Sequence, residues 1–185
     1  TLINKDAQGN AISVTRSFAV TETANVNGTR LTFIDHDGDG VVDYIFKTLP
    51  TMAKVTVYNE SDETMTIAGL GAVDFDEVAN EEDVALDDIV LYYLMNDTYY
   101  VSVAETVSGE VESYNNENRT LTIDGTAYGQ SDIRAELSGT DLTNLTIATD
   151  ADEGMDFVGG TYTLYLDKYG NAVAWVLGED VLGNY

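Results

Sequence analysis

Residues 54–69, KVTVYNESDETMTIAG, align without gaps on residues 110–125, EVESYNNENRTLTIDG. Val55/Val111, Tyr58/Tyr114, Asn59/Asn115, Thr64/Thr120, Thr66/Thr122, Ile67/Ile123 and Gly69/Gly125 are identical, seven pairs in sixteen positions where average composition gives about one. The chain is therefore built from two copies of one unit. Within each copy, apolar and polar residues alternate on both sides of an Asn-rich turn, the period of a half-buried hairpin. Each copy is followed, after a polar stretch, by a second hairpin pattern: VLYYLMNDTYYVSV at 90–103 and TLYLDKYGNAVAWV at 163–176. Their expected turns are Asn96-Asp97 and Gly170-Asn171, residue types that tolerate the positive φ of a tight hairpin.

The unit is thus hairpin, variable loop, hairpin, with one copy over 51–106 and the other over 107–185. Residues 1–50 read as the tail of a preceding unit or as a segment packed onto the first. Strand-type alternation recurs along the whole chain and no sustained helical period is found. The 22 threonines and single proline suit sheets. An all-β fold is expected, with tandem small barrel or sandwich modules made of antiparallel hairpins. Residues 74–88, DFDEVANEEDVALDD, lack an apolar stripe and read as a loop with at most one short helix.

The chain carries 33 acidic and 8 basic residues, a formal net charge of -25. A field of that sign repels phosphate backbones and anionic lipid, so neither nucleic acid nor membrane insertion is expected; it attracts cations instead. Cysteine is absent, which removes disulfides and thiolate chemistry. The chain opens without a signal peptide and reads as a mature or excised portion of something longer. GNAISVTRSFAVTE, near the start, looks like a strand with no hairpin partner in its own chain, so residues 1–25 are a candidate for strand addition to a neighbour and self-association.

One turn concentrates the charge. In LTFIDHDGDGVVDYIF, counting from Asp35, carboxylates fall at positions 1, 3, 5 and 9, with Gly40 at position 6. Alternate oxygens around a sharp glycine bend, completed by the carbonyl of position 7, make a loop for one hard cation. The expected Ca²⁺ ligands are Asp35, Asp37, Asp39, Asp43 and the Val41 carbonyl. Position 12, which in an EF-hand is a bidentate Glu, is Phe46, a core-type residue, and the flanks are strands. The loop resembles those of integrin-type β-propellers rather than an EF-hand. A solvated Asp/Gly turn is the bland alternative, but four converging like charges favour a cation. His36 is expected at the surface. Asp150, Asp152 and Asp156 form a weaker acidic cluster, read as an ordinary loop.

Catalytic constellations are missing. With one histidine and no cysteine, no Cys/His pair exists, and no glycine-rich phosphate loop precedes a helix. The chain is not expected to be an enzyme. Tyr92, Tyr93, Tyr99, Tyr100, Tyr162, Tyr165 and Tyr169 crowd the second hairpins, where they serve as cross-strand pairs or, alternatively, as platforms for sugar rings. N-x-S/T sequons begin at Asn27, Asn59, Asn96, Asn118 and Asn144.

IDHDGDGVVDYIF leading into KVTVY, then GEVESYNNENRTLTIDGTAY and GGTYTLYLDKYGNAVAWV, together resemble the β-rich repeat region of Firmicutes surface proteins that carry S-layer homology domains. The resemblance spans most of residues 30–177. It implies secretion, attachment to the cell wall through modules absent from this sequence, and a structural or adhesive role in a surface layer. The expected function is a non-catalytic, calcium-stabilised spacer or self-assembling lattice subunit at the cell surface, with an adhesive module for glycan or host protein as the alternative.

Overall fold

The computed structural model describes residues 4–5, 11–12, 27–40, 42–147 and 157–178, and these are almost wholly β-structure. Near the start, β1 (Asn4–Lys5) pairs antiparallel with β2 (Ala11–Ile12). Within GNAISVTRSFAVTE, then, Ala11–Ile12 does have a partner in its own chain; the rest of that strand candidate lies outside the described residues. β3 (Arg30–Ile34) and β4 (Tyr44–Thr48) form a separate hairpin around the acidic turn. Its outline is that of the second hairpins.

The first module begins at β5 (Thr51–Asn59), which hairpins into β6 (Thr64–Ile67) and β7 (Gly71–Asp74). The hairpin turn explains the repeated asparagine: Asn59 Oδ1 accepts hydrogen bonds from the Ser61 and Asp62 backbone N–H groups at 3.1 and 3.3 Å, an Asx turn. Residues 74–88 hold two short 3-10 turns, Phe75–Glu77 and Glu81–Asp83, around β8 (Val78–Ala79). The second hairpin follows as β9 (Ile89–Met95) and β10 (Thr98–Val103). Its turn residues Asn96 and Asp97 have φ of 53° and 60°, the paired left-handed geometry of a tight hairpin.

β5 serves both halves of the sheet. It pairs with β9 over Thr51–Lys54 and with β6 from Val55 on, with a bulge between Val55 and Val57. A bulge bends a strand, and the two halves close over one core: Ala53, Val55, Met65, Ile67, Val73, Val78, Val84, Val90 and Val101. In β6 the alternation is plain, with Met65 and Ile67 fully buried between more exposed threonines. Each such side chain contributes about 1.5–3 kcal/mol.

The second module repeats this plan with β11 (Glu105–Asn115), β12 (Thr120–Ile123) and β13 (Thr126–Gly129). β14 (Arg134–Glu136) and β15 (Thr143–Asn144) occupy the variable loop, and β16 (Thr161–Leu166) with β17 (Ala172–Leu177) form the second hairpin. β11 is bulged between Val111 and Ser113, the residues aligned with Val55 and Val57. Glu63 and its aligned residue Arg119 share a positive φ, 52° and 50°, as do Gly69 and Gly125, 76° and 72°. The repeat is therefore one of backbone geometry as well as sequence. The expected boundary at 106/107 falls inside β11, whose pairing with β16 starts at Glu105. Among the described residues no strand pair closes either sheet into a barrel.

The modules are joined by strand addition. β14 runs parallel to β5, placing Arg134–Glu136 beside Thr51–Ala53. Beneath this seam a third apolar cluster unites Met52, Leu91 and Ala104 with Ile133, Val173 and Ala174. Met52 and Ala174 are wholly inaccessible.

Candidate metal centre

The hairpin β3–β4 brings Asp35, Asp37 and Asp39 together: one carboxylate oxygen from each lies within 4.8 Å of the others, and all three residues are exposed. The backbone wraps this group as the alternation of the motif demands. Asp35 accepts from Gly38 N–H through Oδ1 and from Gly40 N–H through Oδ2, both at 2.8 Å, and Asp37 Oδ1 accepts from Asp39 N–H at 3.3 Å. Gly38 and Gly40 have φ of 74° and 82°, a conformation that costs other residues about 1 kcal/mol or more. Each carboxylate oxygen has a second lone pair, so these bonds orient the group and leave acceptor capacity for a cation. An all-oxygen carboxylate set suits a hard ion such as Ca²⁺ rather than zinc or copper.

Asp43 stands apart from the triad. Its Oδ2 accepts from His36 N–H at 2.8 Å, and its own N–H bonds the Ile34 carbonyl at 2.8 Å, so it ties the two strand ends together across the loop mouth. The fifth expected ligand, Val41, and the side chain of Phe46 lie outside the described residues, as do Asp150, Asp152 and Asp156. His36 is exposed, as expected.

The equivalent loop of the second module was expected to be a short Gly170-Asn171 turn, and it is a longer one organised by an aspartate. Asp167 is buried, with 1% exposure. Its Oδ1 accepts from the N–H groups of Tyr169 at 2.8 Å and Asn171 at 3.0 Å, while Asn171 Nδ2 bonds both oxygens. Ser131 Oγ donates to Asp167 Oδ2 at 2.7 Å. Onto this polar knot docks the segment that leads into β3. Asn27 N–H donates to Asp132 Oδ2 at 2.9 Å, Asn27 Nδ2 donates to the Gln130 carbonyl at 2.8 Å, and Asp132 N–H returns a bond to the Asn27 carbonyl at 3.0 Å.

Sequence reasoning missed this junction because its partners are more than a hundred residues apart. One signal was available: FIDHDG at 33–38 matches YLDKYG at 165–170, with Asp35 on Asp167 and Gly38 on Gly170.

The tyrosines divide by role. Tyr93 and Tyr100 face each other across β9 and β10 with rings stacked at 5.2 Å and 7°. Tyr162 packs with Phe157 and Trp175 in the second core, at ring separations of 5.2 and 5.3 Å. Among the described residues no helix is long and apolar enough to cross a membrane. No protein-family model, curated protein or solved structure matches the chain.

Proposed function

We propose that the chain is a non-catalytic structural module of a secreted cell-surface protein, an S-layer-like spacer or lattice subunit whose β3–β4 hairpin is stabilised by Ca²⁺. The observation that carries this reading is the joint: a strand of the second module adds to the sheet of the first over a shared apolar cluster. Such a joint resists bending, which a spacer needs and a flexible tether avoids. The acidic hairpin supplies the second part. In a chain of net charge -25, a divalent ion among Asp35, Asp37 and Asp39 would relieve local repulsion and stabilise the native state by mass action. Asp43 and the Val41 carbonyl complete the proposed shell, Asp43 by turning from its His36 bond or through water.

Calcium addition is expected to raise the melting temperature, and chelation to lower it. Asp37→Ala combined with Asp39→Ala is expected to abolish the response while leaving the two module cores intact by far-UV circular dichroism. Indifference of the unsubstituted protein to calcium would remove the metal from this account. The spacer reading stands separately on the rigidity of the joint.

A further inference from the structure

Cationic side chains are scarce, and three of those described are paired with carboxylates. Lys54 binds Asp87 at 2.7 Å, Arg119 binds Asp132 at 3.0 Å, and Arg134 binds Glu136. Arg30 and Lys168 are exposed and have no carboxylate partner among the described residues, although acidic groups outnumber basic ones about fourfold. Both line one cleft of about 240 Å³, between the β3–β4 hairpin and the β16–β17 loop. Tyr93 and Tyr169 form its aromatic wall, and Thr32 and Thr48 add hydroxyl groups. Lys168 Nζ stands 5.9 Å from the centre of the Tyr93 ring, at the outer limit of a cation–π contact, so its donors are open to an anion.

We infer that this cleft binds a sugar carrying a single carboxylate, such as a terminal uronic acid. The carboxylate pairs with Lys168 and Arg30, the exposed Tyr169 ring lies against the pyranose face, and the threonines meet ring hydroxyls. Charge magnitude selects the ligand. Screening acts over about 8 Å at physiological salt, so a lone carboxylate feels mainly the two nearby cations. A polyanion extends beyond them into the acidic surface and is repelled. The volume of about 240 Å³ suits one pyranose ring at the end of a chain.

The probe is an oligosaccharide ending in one glucuronate, titrated by calorimetry against the full chain in low-salt buffer. A neutral oligosaccharide of equal length and hexa-aspartate serve as comparison ligands. Saturable binding is expected for the uronate probe, weakening as salt is added, with Kd at least tenfold higher for the neutral sugar and for hexa-aspartate. Lys168→Gln and Arg30→Gln should each raise Kd about tenfold, the loss of a charge-assisted hydrogen bond, at unchanged melting temperature. Lys54→Gln, away from the cleft, should leave Kd unchanged. No saturable uronate binding, equal binding of the neutral sugar, tighter binding of hexa-aspartate, or full affinity in the Arg30→Gln/Lys168→Gln double variant would each overturn the inference.

Discussion

The two modules share a scaffold and differ on one face. Aligning β5 with β11 and following the strand register sets Met52 and Leu91 of the first module against Ser108 and Thr163 of the second. Met52 and Leu91 are buried, 0% and 5% exposed, in the apolar cluster they share with Ile133, Val173 and Ala174 beside β14. Ser108 and Thr163 instead hydrogen-bond each other, Oγ to Oγ1 at 2.7 Å, on a face where Ser108 is exposed. One backbone plan thus carries an apolar seam in the first module and a polar surface in the second. Repeat assemblies use the same device, with apolar faces between units and polar faces outward.

The largest effect should come from the seam. Met52→Ala is expected to destabilise the chain by about 2–5 kcal/mol, because it opens a cavity in a cluster shared by both modules. Ser108→Ala, at the matching position of the second module, should cost no more than about 1 kcal/mol, the worth of one exposed hydrogen bond. Urea unfolding of the two variants checks the contrast; equal losses would mean that the faces are not distinguished as described.

A smaller effect separates two glycines, Gly28 ahead of the hairpin and Gly38 within its turn. A Cβ on Gly28 would lie 2.5 Å from Ile133 Cγ2 and 2.6 Å from both Asp167 Oδ2 and Ser131 Oγ, at a φ of +88°. Gly28→Ala should therefore cost about 1–3 kcal/mol and loosen the hairpin from the second module, visible as faster proteolytic cleavage between the two. Gly38, at φ +74°, has no atom within 4 Å of its added Cβ. Its replacement by Ala should cost about 1 kcal/mol, confined to the loop. Cleavage at the wild-type rate in Gly28→Ala would show that the docked segment does not hold the hairpin.

The smallest expected effect is a pH dependence at the joint. Burial raises the Tyr92 phenol above its ordinary value of 10.0, against a lowering by its hydrogen bond to Thr51; the Glu136 charge on β14 adds to the rise. A raised folded value leaves stability intact below pH 10 and removes it as pH climbs through the folded value, since the unfolded chain loses the proton first. Tyr92→Phe should flatten that alkaline decline relative to wild type. Parallel curves would show that Tyr92 does not feel the joint.

How much of this was legible follows from the distance over which each feature is specified. Alternation in TMTI and TLTI and the Asn-led turns specify hairpins locally, and the sixteen-residue repeat specifies that they occur twice. The acidic triad was legible too, because spacing along a tight turn sets its geometry; the hydrogen bond from His36 N–H to Asp43 across the loop mouth was not, because spacing does not reveal it. β14 was invisible. Arg134-Ala135-Glu136 has no alternation to distinguish it from loop, and it becomes a strand only because β5 offers an edge there. Asp167 was hidden likewise: burial, set by Ser131 and Asn27 from distant segments, turned an expected two-residue turn into an aspartate-centred loop.

The claim on which the spacer reading rests is that β14 and its apolar cluster make the two modules one body. Residual dipolar couplings of backbone amides, collected in a weakly aligning medium and fitted separately for residues 51–103 and 105–147 with 157–178, test it most directly. One alignment tensor is expected, equal in magnitude and orientation for both modules. Two tensors of different magnitude would mean that the modules move independently, and the spacer reading would fall.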